Sequence, residues 1–243
     1  MNPVGAAAFL ALWNSAEREG VATEYEVWHT HEHVPERVGS PGFVEAVRYR
    51  SVGDATRFFT CYWLRSLEAL GSAEYRELVA HPTPWSSRMR AELGHFVRMP
   101  CTLSGSVGLS SARYLAALHL GEHDSQAEAG IETLLGQQVN EAGLVSAQWG
   151  RCQPADDFPI ANQTPGADAP SHVVLLQHSE LPALRERVQD LLRAIAPLAR
   201  PLAEPDVFEC LTQVRQSALK APLTRRQPAR ADLFERFHPG DHA

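Results

Sequence analysis

The chain has 243 residues, 44% hydrophobic and 21% charged, with 22 lysines and arginines against 29 aspartates and glutamates. Those proportions fit a folded globular protein with a sizeable core, and a net charge of −7 repels phosphate backbones, which argues against a nucleic-acid partner. No run reaches the ~18–20 apolar residues of a membrane span and no basic n-region opens the chain. The four cysteines, Cys61, Cys101, Cys152 and Cys210, form no Cys-x-x-Cys pair, so the expectation is a cytoplasmic protein with reduced thiols and no membrane partner.

In chain order, the apolar run Ala6 to Trp13 predicts a buried strand, and the polar stretch to Ala22 a loop. Thr23-x-x-Glu26 has the form of a capping box and predicts a helix ended by Pro35. Ser40-Pro41-Gly42 is a turn, and Phe43 to Val52 and Thr56 to Leu64 form a strand pair around Gly53-Asp54. Ser66 to His81 reads as a helix restarted at Ser72, with a short helical turn after Pro84. His95 to Leu103 is a fourth strand, and Ser104 to Gly108 is a flexible junction.

The same order then recurs. Ala112 to Leu120 is a strand. Ser125-x-x-Glu128 opens a helix with Ile131, Leu134, Leu135, Val139 and Ala142 on one face, and Gly143 suits its C-terminal cap. Val145 to Cys152 is a strand, 156–171 a loop and His172 to His178 a strand. Pro182 to Ile195 is a helix, and Asp206 to Gln216 the last strand. The predicted class is α+β, with two ferredoxin-like βαββαβ halves whose sheets form one barrel within the chain. The predicted division is 1–108, 109–217 and a C-terminal arm, 218–243, with one short helix near Arg230 to Phe237.

The stretch Glu24-Tyr25-Glu26-Val27-Trp28-His29-Thr30-His31-Glu32-His33-Val34-Pro35-Glu36-Arg37, followed by Pro41-Gly42-Phe43 and Arg48-Tyr49, resembles a signature of the EthD-like family of dimeric α+β barrel proteins. Cys61-Tyr62-Trp63-Leu64, Ser72-Ala73-Glu74-Tyr75 and Pro82-Thr83-Pro84-Trp85 follow in the family's order. The resemblance covers about residues 6 to 103. His29 stands where the family usually has tyrosine, and the second half carries no matching motif, so it reads as a degenerate copy. The resemblance implies a barrel normally built by two chains, here closed by one, with a homodimer still compatible. It also implies small-molecule chemistry without metal or organic cofactor: isomerases, cyclases, lyases and oxygenases. Other members of the superfamily bind haem.

The residues make their own case. At ~100° per residue, Tyr25, Trp28, His29, Glu32 and His33 share one helix face. A structural helix would carry aliphatic residues there, whereas this one offers aromatic bulk beside a carboxylate and two imidazoles suited to acid/base work. His33, Glu32 and His29 are the catalytic candidates, and His31 points elsewhere. Pro35 limits drift of His33, and burial and Glu32 are expected to act on its pKa in opposite directions, leaving a group that titrates near neutrality. Tyr25, Trp28, Trp13, Arg48, Tyr62, Trp85 and His119 are candidates for binding the substrate. His119 ends the second half's first strand as Trp13 ends that of the first. His29 and His33, with Glu32, offer half of a zinc site, but the full His-Glu-x-x-His motif is absent and no bound metal is expected; no nucleotide loop or serine-hydrolase elbow is present. The leading expectation is a cofactor-independent lyase, isomerase or cyclase, with oxygenation open, acting on a small apolar or aromatic molecule through His33. The runner-up is a non-catalytic binding or accessory protein, and the third a haem-binding barrel.

Overall fold

A computed structural model describes residues 3–153, 170–219 and 226–240. Its elements are β1 (Ala8–Ser15), α1 (Val21–Trp28), a π-helical turn (His29–His33), α2 (Val34–Val38), β2 (Phe43–Ser51), β3 (Arg57–Leu64), α3 (Ala73–Ala80), α4 (Pro84–Glu92) and β4 (Gly94–Val107). There follow β5 (Tyr114–Leu120), α5 (Ser125–Asn140), β6 (Ser146–Cys152), β7 (His172–His178), α6 (Leu181–Ile195), β8 (Asp206–Arg215) and α7 (Ala231–Phe237).

Eight strands close into one antiparallel barrel in the order β1-β3-β2-β8-β5-β7-β6-β4. Strands β4, β1, β3 and β2 are neighbours, as are β8, β5, β7 and β6. Two seams join these groups, β2 with β8 and β4 with β6. Strand alternation sends successive side chains to opposite faces. On β1, Phe9, Ala11 and Trp13 enter the barrel, while Ala8, Leu10 and Leu12 face the helices. Phe59, Cys61 and Trp63 of β3, Leu115 and Ala117 of β5 and Phe208 of β8 fill the same interior. Ring centroids 5.4 Å apart, in Phe9–Trp63 and again in Phe59–Phe208, make most of the barrel a packed core.

Helices cover the outside. α5 and α6 seal the second group of strands with Ile131, Leu135, Leu184, Val188, Leu191 and Ile195, all buried. α1 to α4 cover the first group, and the arm lies across them. Leu233, Phe234 and Phe237 of α7 pack onto the cluster holding Trp28 and Trp85. Three buried carboxylates anchor the arm. Glu24 meets His238 Nε2 at 2.7 Å, Glu32 accepts the Arg230 amide at 2.7 Å, and Glu36 accepts Arg226 Nε at 2.6 Å.

Local signals were shifted in places. α1 begins at Val21, two residues before Thr23, and is preceded by Gly20, whose φ of 81° sets the entry without a side-chain cap. α5 is capped by Asp124, whose Oδ1 accepts the Ala127 amide at 2.8 Å, and Ser125 is already helical. Ser72 does cap α3, accepting the Tyr75 amide at 3.2 Å. Pro35 does not end the helical run: it sits in the first turn of α2, where a missing amide is tolerated. The expected junction at Ser104 to Val107 is strand, because β4 runs on to pair with β6. Gly105 is needed there, since a Cβ would fall 2.1 Å from the Trp149 ring. Most of the expected loop 156–171 lies outside the described residues.

Candidate functional site

The π turn determines how the motif's side chains meet. Val34 N–H bonds the carbonyl of His29, five residues back. That wider turn brings residues four apart almost into superposition. His29 and His33 therefore stack, with centroids 5.1 Å apart and planes 17° apart. Tyr25 stacks on His29 from the other side at 4.9 Å, and Trp28 lies 4.4 Å from His33.

The two imidazoles open onto a cavity of about 50 Å³ between the helices and the outer face of the barrel. Asn14 of β1, Phe96 and Arg98 of β4, Arg37 of α2 and Arg90 of α4 also line it. A site for one water needs ~10–15 Å³ on this measure, so the cavity has room for about three waters, or a single small ring. His29 Nδ1, His33 Nδ1 and Asn14 Nδ2 are enclosed with no hydrogen-bond partner among the described residues. Native structures rarely leave buried polar atoms unmatched. Asn14 spends its Oδ1 on the Tyr25 hydroxyl, which donates at 3.0 Å.

Burial pushes both imidazoles well below the usual histidine range. Arg48 and Arg37 add to this at His29. Arg37, His29, Arg90 and Arg48 add to it at His33. Among the described residues no carboxylate opposes the shift. Glu32, expected beside His33, is turned away: it accepts from the Thr83 hydroxyl at 2.6 Å and from the Arg230 amide. Near neutral pH both rings are therefore free bases in a positively charged pocket. Burial also raises the Tyr25 hydroxyl to about 12, keeping it a neutral donor.

The remaining candidates separate. Arg48 lies on the outer face of β2, bonded to Thr30 Oγ1 and to Glu26 at 2.9 Å, with Tyr25 5.7 Å below its guanidinium. Tyr62, on the outer face of β3, is buried, and its hydroxyl is unpartnered among the described residues. Trp85 packs under α7 and donates its indole N–H to Glu24 at 2.9 Å. Trp13 and His119 face the barrel interior instead, edge to face at 4.7 Å. Thus Tyr25, Trp28, His29 and His33 come together, Trp13 and His119 form a separate pair, and Glu32 and Trp85 serve the arm. Arg37, Arg90 and Arg98 also line the site, and sequence patterning alone does not mark them. Arg37 stands in the motif itself, and Arg98 shares a strand face with Phe96; those are the signals the sequence offers.

The residues do not fit haem. An axial imidazole must face a cavity large enough for the macrocycle, and the His29/His33 cavity is far too small. A larger cavity at the barrel end, beside His119, is rimmed by Glu17, Asp54, Glu204 and Asp206, which would oppose the propionates. Among the described residues no three His, Cys, Asp or Glu side chains converge as a metal ligand set. No helix there is long and apolar enough to cross a membrane.

No protein-family model matches the sequence, and no curated protein matches it. Solved structures match by fold. An anthrone oxidase-like protein is 9% identical, with a TM-score of 0.60 over 89% of this chain and 96% of that one. A candidate monooxygenase from Fusobacterium nucleatum subsp. nucleatum is 9% identical, with a TM-score of 0.56 over 89% and 98%. A mutant chlorite dismutase from Candidatus Nitrospira defluvii is 11% identical, with a TM-score of 0.53 over 96% of each chain. These neighbours belong to the dimeric α+β barrel superfamily, and what this chain shares with them is the fold.

Proposed function

We propose that the chain is a tandem pair of ferredoxin-like βαββαβ halves, EthD-like in the first, and a cofactor-independent enzyme of the cytoplasm. Its substrate is a small apolar or aromatic molecule that presents one ring or enolisable carbonyl to the pocket between helices and barrel. The strand neighbours β4-β1-β3-β2 and β8-β5-β7-β6 support the tandem reading. Because the barrel closes within one chain, a second copy is not required to build it.

What supports the functional reading is that Asn14, His29 and His33 line one space together with Arg37, Arg90 and Arg98, and that His29 Nδ1, His33 Nδ1 and Asn14 Nδ2 are buried with no hydrogen-bond partner among the described residues. His33, in its Nε2–H tautomer, takes a proton at Nδ1 from a C–H or O–H of the substrate. The electron pair left behind settles on a substrate oxygen facing Arg37, Arg90 and Arg98, which stabilise that charge. The same oxyanion offsets the cations around His33 and so raises its basicity as the proton arrives. Return of the proton at another atom gives isomerisation or cyclisation, and loss of a leaving group gives a lyase. Reaction of the carbanion with O₂ gives an oxygenase, a branch the anthrone oxidase-like neighbour makes worth assaying. His29 holds His33 in place by stacking, and Tyr25 and Trp28 keep water out.

The test uses the organic molecule that co-purifies with the protein, identified by mass spectrometry and returned to the enzyme in D₂O. Incorporation of solvent deuterium or conversion to product, faster than in buffer, is expected. A molecule that binds yet neither exchanges nor reacts would make the protein a non-catalytic carrier.

A further inference from the structure

The barrel is not filled to its end. Where β1 and β5 finish and β3, β4 and β8 begin, a cavity of about 540 Å³ opens. It is roughly ten times the volume of the pocket at His33 and lies on the other face of the sheet. Trp13 and Asn14 are consecutive on β1, and one lines each space.

The cavity has a largely aromatic floor and a charged rim. Trp13, Val97, Ala117 and His119 form the floor, and Trp13 is buried. His119 Nε2 is enclosed and has no partner among the described residues. Burial lowers its pKa to about 4, so the ring is neutral. Four carboxylates reach the cavity, from Glu17, Asp54, Glu204 and Asp206. Against them stands one guanidinium, Arg57, paired with Asp206 at 3.3 Å, while His95 meets Glu17 at 3.1 Å. The rim therefore keeps a surplus of negative charge over an aromatic floor.

We infer that this barrel end is a second ligand site, for a small aromatic amine bound as its ammonium form. The ring lies against Trp13 and His119. The ammonium donates to His119 Nε2 and to the rim carboxylates, with the indole face adding cation–π attraction. An anion of the same shape would meet the rim's repulsion. This inference stands apart from the reaction proposed at His33, since the two spaces share no lining residue.

The probe is tryptamine, titrated calorimetrically at low ionic strength against indole-3-propionate, which has a similar shape and the opposite charge. Saturable one-to-one binding of tryptamine, at least tenfold tighter than indole-3-propionate, is expected. His119→Leu should weaken it about tenfold. Glu204→Gln, at an exposed rim position that leaves the core untouched, should weaken it severalfold, and His33→Ala should leave it unchanged. Absence of saturable binding, equal affinity for the two compounds, or no weakening in Glu204→Gln would overturn the assignment. Loss in His33→Ala with retention in His119→Leu would do so too, by moving the ligand to the other pocket.

Discussion

His33→Ala is expected to lose about 10²–10⁴-fold in turnover, the usual worth of a positioned acid/base group, while the protein stays folded. His33 keeps some exposed surface, and its ring contributes to one side of a small cavity, so truncation enlarges that cavity without removing a core residue. His31→Ala, at an exposed position of the same turn, should leave turnover unchanged. Glu32→Gln should cost less activity than His33→Ala, because Glu32 meets Thr83 and the arm instead of the imidazole. The comparison needs kcat, KM and a melting curve for each variant. Full turnover in His33→Ala would remove the catalytic assignment, and equal losses in all three variants would point to damage to the turn.

The largest expected effect on stability comes from removing the arm. Deleting 220–243 uncovers Trp85 and takes partners from Glu24, Glu32 and Glu36, each nearly fully buried. Breaking one buried charge pair costs ~3–5 kcal/mol when the other charge stays buried. Glu36 keeps Arg37 at 3.1 Å and Glu24 keeps the Trp85 indole, so only part of that cost applies at each. A total of about 5 kcal/mol would lower Tm by roughly 10–20 °C in a chain of this size. Thermal unfolding followed by circular dichroism checks this. A truncated chain melting within about 2 °C of the full one would show that the arm merely rests on the surface.

The element order was legible because it rests on local patterning. Alternation marked the strands, and the apolar faces at Ile131 and Leu184 marked the helices. The shared face of Tyr25, Trp28, His29 and His33 followed from helical geometry. Their stacking did not, because it depends on a π turn just before Pro35, set by packing as much as by local preference. The fate of Glu32 was hidden for a different reason: its partner amide belongs to Arg230, 198 residues away. Only the closed fold shows that the carboxylate is already committed, and that the pKa of His33 is therefore lowered without opposition. Trp13 and His119 were matched as equivalent strand ends, and barrel closure puts their rings in contact. The cavity beside them required the closed barrel to be seen.

Catalysis at this site requires His29 and His33 to stand as neutral bases in a positively charged pocket. Long-range ¹H–¹⁵N NMR of the histidine side chains, taken from pH 8 to pH 5 and assigned with His29→Ala and His33→Ala, tests it most directly. Both rings are expected to keep one unprotonated nitrogen throughout, with Nδ1 of His33 carrying no hydrogen. Protonation of His33 with a midpoint near pH 7 would contradict it, since a neighbouring carboxylate or open water would then have to reach the ring.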